Sequence, residues 1–98
     1  MLEISLSNAF KDWLLDLRDV QGKAKILTRI RSVSLGNLGD VEPVGEGVSE
    51  LRIHCGPGYR IYFTKRGKAM VLLLVGGDKS SQKKDIKLAR QMAKSLKE

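Results

Sequence analysis

The chain has little of what small chemistry-bearing proteins often use. Its 98 residues include one cysteine, Cys55, and one histidine, His54. A single cysteine excludes an internal disulfide, and one histidine with one cysteine cannot build a metal site alone. A phosphate-cradling loop is also missing: "GEG" (45–47) and "GPG" (56–58) lack the Lys-Ser/Thr that gives such glycines their meaning. The longest apolar run, "AMVLLLV" (69–75), is far short of the roughly 20 residues a membrane span needs. No basic stretch followed by a long apolar core is visible near the start, so no signal peptide is expected. Repeats and low-complexity tracts are absent. These absences fit a cytoplasmic protein with no membrane partner and no small-molecule cofactor.

What is present is positive charge, unevenly placed. The formal net charge is +7, yet residues 1–49 carry 6 basic and 7 acidic side chains while residues 50–98 carry 12 and 4. Such a one-sided excess points to a polyanionic partner, nucleic acid first and an acidic protein segment second. The plainer alternative is a lysine-rich surface that keeps a small protein in solution. The length argues for one domain, 1–98, with an ordinary globular mix of 42% hydrophobic and 30% charged residues.

Periodicity gives an order of elements. "LEISL" (2–6) alternates as a half-buried strand. Ser7 or Asn8 can cap a helix carrying Phe10, Trp13, Leu14 and Leu17, and Asp19 can cap a second. The second helix has Ala24, Ile26, Leu27, Ile30, Val33 and Leu35 as its apolar stripe, with Gly36 placed to end it. Residues 36–47, with four glycines, one proline and three acids (Asp40, Glu42, Glu46), read as a mobile loop. Strands are expected at 48–54, 59–65 and 69–75, with Gly76 and Gly77 breaking the last. A final helix starts at Ser80 or Ser81, with Ile86, Ala89, Met92, Ala93 and Leu96 on one face and Lys83, Lys84, Lys87, Arg90, Lys94 and Lys97 on the other. The expected fold is α+β, β-α-α-β-β-β-α: a small antiparallel sheet with a helical hairpin on one face and a C-terminal helix. The first strand belongs at an edge or beside the last strand.

The segment "ELRIHCGPGYRIYF" (50–63) concentrates the chemistry. Alternation puts Leu51, Ile53, Tyr59, Ile61 and Phe63 toward the helical hairpin, and Arg52, His54, Arg60 and Tyr62 on the opposite face, which is open or filled by the last helix. Lys79, just past the last strand, can reach the same face. Arginine forks bind two phosphate oxygens and keep their charge, and histidine titrates near neutral pH. Arg52, Arg60 and Lys79 are therefore candidates for a phosphate site, His54 for proton transfer and Tyr62 for stacking on a base. Lys83, Lys84 and Lys87 would add phosphate affinity. Each has a plainer reading. Arg52 can be a sheet-face ion pair, His54 a polar residue beside a turn, and the lysines a solvated helix face. Cys55 reads as structural, and Trp13 as core or partner interface.

"ELRIHCGPGYRIYF", the apolar strand after it and "GGDKSSQKKDI" (76–86) resemble the RelE/ParE toxin superfamily, closest to its HigB-like addiction-module killer proteins. The layout is similar over essentially the whole chain. The resemblance implies a RelE-like fold, a type II toxin with a cognate antitoxin partner, and ribosome-dependent cleavage of mRNA without a metal, the ribose 2′-hydroxyl attacking the adjacent phosphate. It carries functional roles onto Arg60 and Lys79, and onto Arg52 and His54 of the preceding strand. Some RelE-like enzymes place a tyrosine or histidines near the start of the last helix. Here "SSQKKDI" has neither, which leaves proton transfer open between Asp78, Lys79, Asp85 and the hairpin. Two rivals stand beside this reading: a ParE-like gyrase poison on the same fold, and a non-catalytic basic module that binds nucleic acid or an antitoxin.

Overall fold

The computed structural model describes residues 1–96, so Lys97 of the expected basic face lies outside the described residues. Its order is β1 (Glu3–Leu6), α1 (Asn8–Asp16), α2 (Val20–Ser34), β2 (Val41–Gly45), β3 (Val48–Ile53), β4 (Tyr59–Arg66), β5 (Met70–Gly77), a short 3-10 turn (Lys79–Ser81) and α3 (Gln82–Leu96). The sheet runs β1-β5-β4-β3-β2. β1 lies at the edge beside the last strand, as expected for a strand that no short turn joins to the hairpins, but parallel to it. The sheet is therefore mixed, not wholly antiparallel, because α1 and α2 carry the chain back across one face before β2 begins.

Caps form where short polar side chains precede the helices. The Ser7 hydroxyl accepts from the Phe10 N–H at 3.0 Å and donates to the Leu74 carbonyl at 2.6 Å, which fixes α1 to β5. Asp19 accepts from the Gly22 N–H at 3.0 Å and from the Tyr59 hydroxyl at 2.8 Å, tying α2 to β4. α2 ends as Gly36 takes a positive φ of 91°. Gly36 then donates to the Val33 carbonyl and Asn37 to that of Ser32, satisfying two orphan acceptors of the last turn.

Three local expectations change. The supposed loop 36–47 holds β2, whose Val41 pairs with Leu51 and whose Glu42 pairs with Glu50. Strand alternation puts Val41 on the hairpin side and Val44 on the α3 side, so two valines outweigh the turn-forming composition, and a bulge follows between Pro43 and Gly45. Pro43 is tolerated because β2 is an edge strand. Gly76 and Gly77 do not break β5 but close it, opposite Ile61 and Arg60. On α2, Ile26, Ile30 and Val33 face inward, while Ala24, Leu27 and Leu35 are exposed.

Both faces of the sheet are covered. Phe10, Ile26, Val33, Leu51, Ile53, Ile61 and Phe63 form the core under the helical hairpin. Val48, Tyr62, Leu74, Val75, Ala89 and Ala93 form a second core under α3. Of the two alternatives for this face, open or filled by the last helix, the second holds: α3 roofs it, and its small residues at 89 and 93 let it approach the strands.

Candidate functional site

The hairpin register places Arg52 directly opposite Arg60, and Glu50 opposite Tyr62. These four share the α3 side of the sheet. Two arginines facing each other across adjacent strands repel. The charge that offsets them is Glu50, only 1% exposed.

Glu50 Oε1 accepts from Arg52 Nε at 2.9 Å. Glu50 Oε2 accepts from the Tyr62 hydroxyl at 3.1 Å and from Gln82 Nε2 at 2.9 Å. Arg60 Nε lies 3.6 Å from Oε2, buried and without a hydrogen-bond partner. Burial by itself would raise the Glu50 pKa. The hydrogen bonds from Gln82, Arg52 and Tyr62, with the charge of Arg60, outweigh it and hold the carboxyl below its ordinary value. Glu50 is therefore an anion at neutral pH, and the residues around it belong to three elements: β3, β4 and the first turn of α3.

Tyr62 is 0% exposed. It has no face to offer a base, so its expected stacking role is corrected: α3 covers it and Glu50 takes its hydroxyl. Burial, then the charge of Glu50, drives its pKa upward. Tyr59 packs in the hairpin core, as its side of the strand predicts, and burial followed by the bond to Asp19 raises its pKa to about 12.

Arg60 and Lys79 come together at the Gly-Pro-Gly turn. Arg60 Nη1 donates to the Gly58 carbonyl at 2.9 Å, and the Lys79 N–H reaches the Pro57 carbonyl at 3.4 Å. Gly58, at φ +78°, sits between them: a Cβ there would lie 3.3 Å from Arg60 Nη1 and 3.5 Å from Lys79 Cβ. Arg60 is mostly buried along its stem and Lys79 is exposed. The pair makes a cationic corner where the turn meets the start of the 3-10 segment.

Arg52 and His54 are drawn the other way, toward β2. Arg52 Nη2 meets Glu42 at 2.9 Å and Nη1 lies 4.0 Å from Asp40. His54, one residue past β3 and 77% exposed, holds Asp40 Oδ2 through Nε2 at 2.6 Å. That hydrogen bond lowers the Asp40 pKa; burial opposes it, and the charge of Arg52 adds to the lowering. The expected single set thus divides: Arg52 links the two parts, Arg60 and Lys79 face the turn, and His54 is engaged by an acid of the segment expected to be a loop. Arg29 closes the far side of this second part, donating to the Arg52 carbonyl at 3.2 Å.

Lys83, Lys84 and Lys87 are exposed on α3. Lys83 and Lys87 line a groove of about 400 Å³ with Ile86, Arg90, Gln91, Lys94 and Glu46. Among the described residues, no cluster of three or more His, Cys, Asp or Glu side chains is placed to hold a metal ion. No helix among them is long and apolar enough to cross a membrane. The residues that sequence reasoning undervalued are Glu50, Gln82, Asp40 and Glu42. Alternation did carry a signal for Glu50, which falls on the same face as Arg52, Arg60 and Tyr62. Gln82 and Asp40 carried none, because their contacts span 32 and 14 residues.

A model of the family described as "Phage derived protein Gp49-like (DUF891)" matches residues 12–94, which include every candidate residue named above. The chain belongs to the Gp49-like family. An uncharacterized protein of Haemophilus influenzae is 44% identical to this family member over 95 residues, covering 97% of this chain and 96% of the relative. Among solved structures, the solution structure of the conserved hypothetical protein HP0894 from Helicobacter pylori matches with a TM-score of 0.46 and 16% identity, over 82% of this chain and 97% of that one.

Proposed function

We propose that this Gp49-like protein is the toxin of a type II toxin-antitoxin pair and that it cleaves mRNA on the ribosome. The toxin reading is supported by the family and by the resemblance of the hairpin and "GGDKS" segments to RelE/ParE toxins. The observation that carries the chemistry is the corner at Gly58, where Arg60 and Lys79 come together. A phosphorane formed by 2′-hydroxyl attack carries more negative charge than the singly charged phosphodiester, and fixed cations in a partly water-excluded site stabilise it more than that ground state. Arg60 fits that role because its stem is buried and its guanidinium is anchored at Nη1. Lys79, exposed beside it, would neutralise the departing 5′-oxygen. The partners on this reading are mRNA with surrounding ribosomal RNA, and an antitoxin whose acidic or apolar segments fold on binding, in the cytoplasm.

A reconstituted translation reaction with a defined mRNA and 5′-end mapping tests it. The wild type should cut within the reading frame only when ribosomes are present, and Arg60→Ala should lower cleavage by about 10²-fold while keeping the fold. Intact message with wild type would overturn the nuclease reading.

One observation favours a second reading, a non-catalytic module that holds a polyanion. The histidine expected to move the proton is held by Asp40, toward β2 rather than the Gly58 corner. That reading expects saturable, salt-sensitive binding with no cut, weakened in a graded way by substitution of Arg60 and Lys79.

A further inference from the structure

A buried carboxylate beneath two cross-strand arginines is not explained by packing. Its site would suit an apolar side chain, and a charge there costs free energy unless its lone pairs are used. Here they are used, and in a particular sense. Arg52 approaches Glu50 with Nε at 2.9 Å, and Arg60 lies with Nε 3.6 Å from the other oxygen. Arg52 turns its Nε edge to the carboxylate and its outer edge, the two Nη groups, away from it, while Arg60 sets its charge beside Oε2 without a hydrogen bond at Nε and turns Nη1 to the Gly58 carbonyl. That outer edge is the fork that binds two phosphate oxygens at once.

What now occupies the outer edges is weakly held. Arg52 meets Glu42, whose side chain is 60% exposed, with the 43% exposed Asp40 at 4.0 Å, and Arg60 meets a turn carbonyl. These partners can yield to a phosphate without leaving a buried group unpaired. Glu50 cannot yield: Tyr62 and Gln82 pin its second oxygen from β4 and α3.

We infer that Glu50 is a positioning residue for the cross-strand pair Arg52 and Arg60, which acts as a clamp for a phosphodiester, its role being to orient Arg52 through the Nε hydrogen bond and to offset the mutual repulsion of the two guanidinium groups. The inference rests on the ribonuclease reading only for the identity of the anion. Glu50 is not itself a proton carrier, because it is enclosed and its oxygens are taken up by Arg52, Tyr62 and Gln82.

The test uses binding without cleavage. The probe is a 2′-O-methyl RNA oligonucleotide, which lacks the attacking hydroxyl, followed by fluorescence anisotropy. Glu50→Gln should weaken binding about tenfold, since the charge-assisted hydrogen bond to Arg52 becomes neutral and the charge beside Arg60 is lost. Glu50→Asp should recover part of that loss. The side-chain Nε–H signals of Arg52 and Arg60, read by ¹⁵N NMR, should exchange with water more slowly in the wild type than that of exposed Arg66 and should lose this protection in Glu50→Gln. A purely structural role would lower the melting temperature and leave both the affinity and the arginine signals of the folded protein unchanged, and that result overturns the proposal. If Glu50→Gln does not fold, wild-type exchange decides: Nε–H exchange as fast as at Arg66 overturns it. Absence of oligonucleotide binding by the wild type also overturns the clamp. Absence of mRNA cleavage with binding intact removes the ribonuclease reading and leaves the clamp standing.

Discussion

Two glycines decide how closely the helices on either side of the sheet approach its centre. Gly76 faces the helical hairpin, where a Cβ would fall within the ring of Trp13; Gly77 faces α3, where it would fall on the buried carboxylate of Asp85. Trp13 cannot retreat easily, since it is tilted against Phe10 at 5.7 Å and edge-on to Tyr59 at 6.1 Å between ring centroids. Gly76→Ala should therefore destabilise the fold by about 1–3 kcal/mol through overpacking, although alanine suits a strand better than glycine does. Chemical denaturation measures it, and a variant as stable as wild type would mean that Trp13 shifts at no cost. The same residues show why composition misleads at this scale. A glycine pair reads as a break, yet here it is the condition for a double-sided strand.

At the scale of elements, most of the fold was legible because its signals are local. Ser7 and Asp19 cap the helices they precede, and alternation from Leu51 to Phe63 sorts the strands correctly onto two faces. β2 was not legible, because its two valines gain their value only against β3 and the two cores. The site was legible in its cations and not in its anions. Arg52 and Arg60 announce themselves by face, whereas what holds them arrives from α3 and β2. Glu50 is where these elements meet, and its titration has a definite sign. Its folded pKa lies below the ordinary value of 4.5, so its contribution to stability is complete above that value and is lost as pH falls through the lower folded value. Glu50→Gln removes this linkage. The stability difference between wild type and Glu50→Gln, measured by urea unfolding, should be greatest near neutral pH and should shrink on going to about pH 3. A difference independent of pH would show that Glu50 does not change its ionisation on unfolding.

For the whole molecule, the question is whether a net charge of +7 is a site or a surface. The positive half of the chain does not spread its charge evenly in space. Lys83, Lys87, Arg90 and Lys94 follow one another at helical spacing along the exposed side of α3 and border one groove, while its inward side meets the sheet through Ala89 and Ala93. The clamp at Arg52 and Arg60 lies under the first turn of the same helix, joined to it by Gln82. A phosphate chain gripped at the clamp could run on along this stripe, each lysine taking a backbone phosphate and releasing a counterion. Counterion release makes the two parts separable by salt. The triple variant Lys83→Gln, Lys87→Gln, Lys94→Gln should reduce the slope of log affinity against log salt for a single-stranded oligonucleotide by about 2, because each lost contact removes ~0.7. Arg60→Ala should instead lower affinity at every salt concentration and change the slope by at most one such step. Equal slopes for wild type and the triple variant would assign the stripe to solvation alone and confine the anion site to the clamp.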